Sequence, residues 1–269
     1  MIAPKPSRSA TRVLGRAASV FSLVLALGCD GPMPPVVAFE GSASAWPDSS
    51  PPFNVLLFSR TAGYRHESIP SAIAALTALQ SAGDYLVETT DDPAQFSSAN
   101  LARFQVVVFL LTTGDVLDDA QQAAFADWIS AGGNYMGVHS AADTEHDWPF
   151  YGALVGAYFV SHPRVQTASV AIEDSADPIV AKLPSPWMRA DEWYDFDHNP
   201  RPSVTVLATV DESTYTGGTM RADHPITWAH PTAGGGRAFY TAMGHTDDSY
   251  REPLFQRLLV SGLRWAAGR

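Results

Sequence analysis

From residue 53 onward, short apolar runs alternate with polar interruptions. Phe53-Asn-Val-Leu-Leu-Phe58 lies between Pro52 and the polar stretch Ser59-Arg60-Thr61-Ala62-Gly63, the pattern of a buried strand. Ser68 and Pro70 open an Ala- and Leu-rich helix that Gly83 closes. Residues 85–89 form a plausible second strand. Residues 106–111 (VVVFLL) are apolar throughout and β-branched at the start, which implies cover on both faces, as in a parallel sheet. Asp118 or Asp119 caps a helix over 121–131, Gly132-Gly133 ends it, and 135–138 is a fourth strand. The second half is less regular, with strands expected at 166–172, 204–210, 226–229 and 237–243. A helix over 253–267 closes the domain, with Leu254, Leu258, Leu259, Leu263 and Trp265 for its inner face. Alternation of strand and helix predicts a doubly wound α/β fold over 53–269.

The N-terminal segment has a different character. Lys5, Arg8, Arg12 and Arg16 precede an apolar stretch from Ala17 to Leu27, eleven residues and too short to span a bilayer. It reads as an export signal over 1–28. Cys29, the only cysteine in the chain, follows at once. It is either an ordinary residue near a signal-peptidase site or, the preferred reading, a lipidation site that anchors the protein to a bacterial membrane. The stretch resembles a lipobox with Ala26 in place of the more usual leucine. The Pro- and Ser-rich residues 29–52 then serve as a flexible tether.

Charge and cysteine content narrow the function. The chain carries a net charge of −11, and removal of 1–28, which holds only basic charges, makes the remainder more acidic. With no basic run, nucleic acid is excluded as a partner. With Cys29 spent on lipid, no thiol is left for a disulfide or a cysteine nucleophile.

In open α/β sheets, ligands bind at the carboxyl ends of the parallel strands, and polar residues gather there. The first strand runs into Tyr64-Arg65-His66-Glu67, the third into Thr112-Thr113-Gly114-Asp115, and the fourth into His139-Ser140-Ala141-Ala142-Asp143. The last runs into Gly244-His245-Thr246-Asp247. Gly137-Val138-His139-Ser140-Ala141 has the form of a nucleophile elbow with a histidine in the nucleophile's place. On an exposed turn that histidine is a general base or a metal ligand. His162 precedes a proline and serves either a loop or a site. His224 also precedes a proline, before a strand, and reads as structural, while His146, His198 and His230 read as surface residues. The segment Ala190-Asp-Glu-Trp-Tyr-Asp-Phe-Asp-His198 is either a solvated loop with core aromatics or a carboxylate set against aromatic faces, suited to gripping a sugar or tuning an acid.

Five segments, LLFSRTAGYRHESIP, GGNYMGVHSAAD, FYGALVGAYFVSHP, DEWYDF and GRAFYTAMGHTDDSYREPLFQRLLVSGLRWAAG, occur in this order. Together they resemble the ThuA-like, trehalose-utilisation family over residues 53–268. The resemblance implies a flavodoxin-like α/β fold akin to class I glutamine amidotransferases, with a doubly wound, mostly parallel sheet. It also implies a link to disaccharides and their 3-keto derivatives. The related amidotransferases carry a cysteine at the elbow; His139 stands there in this chain, so glutamine hydrolysis through a thioester is excluded.

The resulting expectation is an exported, lipid-anchored protein acting on a small-molecule carbohydrate. His139, His66, Glu192 and His245 are the candidate catalytic residues. Tyr64, Arg65, Ser140, Asp143, His162 and Tyr194 are the candidate substrate contacts. His66, His139 and His245, with Glu192 as carboxylate, would hold one divalent metal ion, although their spacing fits no short motif such as H-E-x-x-H. Two alternatives stand beside this: the imidazoles only bond one another and the backbone, or the protein is a non-catalytic sugar-binding lipoprotein.

Overall fold

The computed structural model describes residues 51–269. The expected leader, the lipidation site Cys29 and all but the last residues of the tether lie outside the described residues. Along the chain run β1 (Phe53–Phe58), α1 (Ile69–Ala78), α2 (Gln80–Gly83), β2 (Tyr85–Thr90), α3 (Ser98–Leu101), β3 (Val106–Leu110), α4 (Asp119–Ser130) and β4 (Asn134–Val138). There follow α5 (Pro149–Val155), β5 (Phe159–Ser161), β6 (Gln166–Ile172), β7 (Trp187–Asp191), β8 (Asp195–Phe196), β9 (Thr205–Asp211), β10 (Pro225–Pro231) and β11 (Arg237–Thr241). Two helices, α6 (Asp247–Arg251) and α7 (Pro253–Ala266), complete the fold.

Nine strands form one sheet in the order β2-β1-β3-β4-β11-β10-β9-β6-β7. The first five in this order are mutually parallel. Their succession is that of a flavodoxin-like sheet, with its ligand crevice at the carboxyl ends. The remaining strands extend it in antiparallel fashion, and β5 pairs with β8 in a small separate ribbon. Every residue of β3 is buried, as its uninterrupted apolar run requires. Helices α1, α2, α6 and α7 pack on one another, and α3 packs on α4.

Local chemistry accounts for several boundaries. Asp118, rather than Asp119, caps α4: its carboxylate takes the Gln121 N–H while the Gln121 side chain returns to the Asp118 N–H. Beyond α2 it is Asp84, not Gly83, that takes the left-handed conformation (φ 59°). On α7, Leu258, Leu259 and Leu263 are buried, and Leu254 and Trp265 pack partly against the core.

One alternative is set aside and one expectation corrected. Of the two readings of the acidic segment, the solvated loop does not hold. The segment begins in strand β7, whose inward positions are Trp187, Arg189 and Asp191, and Asp191, Glu192 and Asp195 are all buried. A pattern reading misses β7 because two of its three inward residues are charged. His230 is not a surface residue either: it is half-buried in β10 and bonds the Leu154 carbonyl at 3.0 Å. His146 and His198 are exposed, as expected.

Candidate functional site

Three parallel strands deliver a histidine each to one point at the carboxyl edge of the sheet. His66 arrives on the loop after β1, which is tied to the loop after β3: the Ala62 N–H donates to the Thr113 carbonyl (2.7 Å) and Thr113 Oγ1 donates to the Tyr64 carbonyl (2.7 Å). His139 directly follows β4 and His245 follows β11. The imidazole centroids of His66, His139 and His245 stand 4.8, 5.2 and 5.3 Å apart, all edge to face.

His139 occupies an elbow, but not an exposed one, which corrects the sequence expectation. Its φ is 54°, in the left-handed region that costs a non-glycine residue about 1–3 kcal/mol, and its side chain is wholly buried. The surroundings hold this conformation. The Tyr240 hydroxyl donates to the His139 carbonyl (2.8 Å). Two residues earlier, a Cβ on Gly137 would stand 2.5 Å from the Tyr135 hydroxyl and 2.9 Å from the Tyr240 ring, so only glycine lets these rings close beneath the turn. His139 Nδ1 donates to the Ala242 carbonyl (2.6 Å), which sets the tautomer and turns the Nε2 lone pair towards the other histidines. The Tyr194 hydroxyl meets that Nε2 at 2.9 Å.

Glu192 is the carboxylate of the cluster. Its Oε2 lies 3.0 Å from His245 Nδ1 and 3.5 Å from His139 Nε2, and its Oε1 lies 3.0 Å from His162 Nδ1. Burial alone would raise its pKa, but the neighbouring imidazoles of His139 and His245 hold it well below the usual carboxylate range. His245 responds in the complementary sense: burial pulls it down, yet the Glu192 bond and charge leave it raised. His66 is pushed down to about 3, first by burial and then by His139 and His245, so its imidazole is neutral at physiological pH.

Asp191, which sequence reasoning passed over in favour of its neighbour, supports the arrangement. Wholly buried, its Oδ1 accepts the N–H groups of Glu192 (2.9 Å) and His245 (3.0 Å). Its Oδ2 accepts Gly244 N–H (2.9 Å) and the Arg189 guanidinium (2.8 Å). One carboxylate thus sets the main chain under two members of the cluster. The only signal in the sequence was its adjacency to Glu192.

The other expected contacts divide. Ser140 Oγ lies 3.3 Å from His66 Nδ1, and Tyr194 and His162 join as described. Tyr64 is exposed and stands edge-on to His66 at 4.9 Å. Arg65 is exposed and makes no bond to the cluster, and Asp143 pairs instead with His146 (3.0 Å). Beside His245 opens a cavity of about 240 Å³ lined by Tyr64, Glu67, Ser68, Thr246 and Asp247.

The donors suit a divalent metal ion. One ligand atom each from His66, His139, Glu192 and His245 lies within 4.8 Å of the others. Three imidazoles, one of them with its tautomer set by a carbonyl, and one ionised carboxylate are a set that Zn²⁺, Mn²⁺ or Fe²⁺ accepts.

Comparison with known proteins agrees with this architecture. A ThuA-like protein from Bacteroides uniformis superposes with a TM-score of 0.70 at 23% identity, covering 81% of this chain and 93% of the other. A second, from Parabacteroides merdae, gives 0.69 at 22% identity over 80% of this chain and 90% of its own. A cytoplasmic protein from Salmonella typhimurium gives 0.58 at 10% identity, covering 79% and 98%. At these identities the likeness is one of fold. No curated protein matches the chain. The family model described as ThuA, trehalose utilisation, matches residues 54–266, and the chain belongs to that family.

Proposed function

We propose that this protein is an exported, lipid-anchored enzyme that acts on a carbohydrate, a disaccharide or keto-glycoside, at the His66–His139–His245–Glu192 cluster. The observation that carries the reading is the convergence of three imidazoles and one carboxylate beside an open cavity at the ligand-binding edge of the sheet. The family's description supports a sugar as substrate. So does the cavity, whose wall combines the exposed ring of Tyr64 with Thr246 and the acidic residues Glu67 and Asp247.

In this reading His66, His139, His245 and Glu192 hold one divalent ion. Bound there, it supplies a Lewis acid that polarises a sugar oxygen. The remaining work falls to the chain. Tyr194 presents its hydroxyl at the inner wall, next to His139. His162, partly exposed and bonded to the outer oxygen of Glu192, offers a route for a proton between the cluster and solvent. Tyr64 and Thr246 orient the sugar.

The test combines metal analysis of the purified protein with a panel of disaccharides and their 3-keto derivatives, assayed for binding and for product. Turnover that depends on metal and is lost in Glu192→Gln supports the proposal. Binding without turnover of any panel member would make the protein a sugar-binding lipoprotein instead. Mass spectrometry of the mature N-terminus tests the anchor: an unmodified Cys29, or cleavage elsewhere, refutes it.

A further inference from the structure

Next to the main chain of Tyr194, whose hydroxyl meets His139, lies a second group of donors. Asp195 comes from β8, Glu212 from the short 3₁₀ turn after β9, and His224 from the residue before β10. One ligand atom of each lies within 4.8 Å of the others, about twice the metal–ligand distance of ~2.0–2.4 Å, so one ion between them reaches all three.

His224 is wholly buried, and its Nε2 donates to the Tyr194 carbonyl at 2.8 Å. That bond leaves Nδ1 as the free lone pair, the carbonyl-oriented state characteristic of a metal-ligating histidine. Nδ1 faces Glu212 Oε1 at 2.9 Å and the Tyr215 hydroxyl at 3.1 Å. Glu212 Oε1 is buried and, while Nδ1 carries the lone pair, accepts no hydrogen bond from it. Asp195 is also buried, with Thr219 N–H on Oδ1 (2.8 Å) and Ser161 Oγ at 3.3 Å from Oδ2. Among the described residues no arginine or lysine forms an ion pair with either carboxylate. Two carboxylates in a low-dielectric setting with no cationic partner are costly. A simple His224–Glu212 pair, with a protonated imidazole donating Nδ1–H to Glu212 Oε1, would still leave the buried Asp195 without a cationic partner.

We infer that Asp195, Glu212 and His224 form a second divalent-cation site, distinct from the histidine cluster. An imidazole nitrogen among carboxylate oxygens favours Mn²⁺ or Zn²⁺ over Ca²⁺ or Mg²⁺. An ion there neutralises both carboxylates and gives Glu212 Oε1 a partner. It also joins the loop after β9 to β8 and, through His224, braces the main chain of Tyr194, whose hydroxyl meets His139. The site is thus a structural brace for one wall of the first.

The experiment uses the full chain, stripped of metal by a chelator, in a background of His66→Gln and His245→Gln that disables the first cluster. Titration with Mn²⁺, read by calorimetry and by the Mn²⁺ electron paramagnetic resonance signal, is expected to show about one ion bound per chain. Adding Glu212→Gln or Asp195→Asn should weaken that binding at least tenfold. Absence of Mn²⁺ and Zn²⁺ binding in the background, or affinity unmoved by both substitutions, overturns the proposal and leaves a His224–Glu212 ion pair only. If the variants fail to fold, anomalous scattering from Mn²⁺-soaked crystals of the unaltered protein decides: a peak between the three side chains supports the site, and a flat map overturns it.

Discussion

His139 concentrates the conflict between local preference and site geometry. A left-handed backbone and a wholly buried imidazole at one residue are both unfavourable unless something else requires them. Here the Ala242 carbonyl, the Tyr194 hydroxyl and the Tyr240 hydroxyl satisfy its polar atoms. Because the turn is buried, His139→Ala is expected to remove stability as well as function: it leaves a cavity and places alanine at positive φ, together about 2–4 kcal/mol. His139→Asn is the cleaner probe, since asparagine tolerates the left-handed region and keeps a hydrogen-bonding group. It should retain most of the melting temperature while metal affinity falls by more than the ~10–100-fold typical of losing an outer partner of a ligand. Calorimetric metal titration with thermal unfolding of both variants checks this. Unchanged metal binding in His139→Asn would reduce His139 to scaffold.

At the scale of elements, the turn that leaves β7 organises the site from beneath. Asp191 ends β7, and its carboxylate binds the backbone of Glu192 and of the β11–α6 connection. It also compensates Arg189, which is buried against the rings of Trp187 and Phe255 at 4.8 and 4.5 Å. Asp191→Ala should therefore cost about 3–5 kcal/mol, the usual effect of stranding one partner of a buried ion pair. Urea unfolding measures the loss. A cost below about 1 kcal/mol would mean that the turn is held by other contacts. Arg201 makes a contrasting, exposed link, bonding Asp223 (2.6 and 2.8 Å) and Glu173 (3.1 Å). The Arg201 bond holds the Asp223 carboxyl below its ordinary value. A carboxylate with a lowered folded-state pKa stabilises the fold above its unfolded-state value and loses that contribution as pH falls through the folded one. Asp223→Asn should thus cost under about 1 kcal/mol at pH 7, solvent screening keeping it small, and nothing once the pH falls below the native carboxyl's titration. Stability curves of both proteins from pH 2 to 7 check the sign; a gap that widens in acid contradicts it.

For the molecule as a whole, a metal ion held as proposed by donors from three strands and the β7–β8 turn would couple its binding to folding, since the unfolded chain holds no preformed site. Metal at a hundredfold excess over its dissociation constant should stabilise the native state by about 2.7 kcal/mol per site, and chelator should reverse the shift in melting temperature. Scanning calorimetry with and without Mn²⁺ or Zn²⁺ measures it. No shift with any divalent ion would leave the cluster as an acid–base or hydrogen-bonded group without metal.

The strands and helices of the parallel half were legible in the sequence because their signals are local. Apolar runs mark β1 and β3, an aspartate at 118 or 119 marks the start of α4, and polar residues follow the strand ends. The same locality made His66, His139 and His245 readable as neighbours, since parallel strands with right-handed crossovers bring their carboxyl ends to one edge. Tertiary structure decided the rest. The pairing of β7 with β6 and of β5 with β8 joins segments whose inward residues are charged or too few for a period to be read. The burial of His139 and the role of Asp191 depend on groups about 50 to 100 residues away in the chain, such as Ala242, Tyr240, Gly244 and His245. Hydropathy assigns a charged side chain to solvent; only the folded neighbours supply the partners that make its burial affordable.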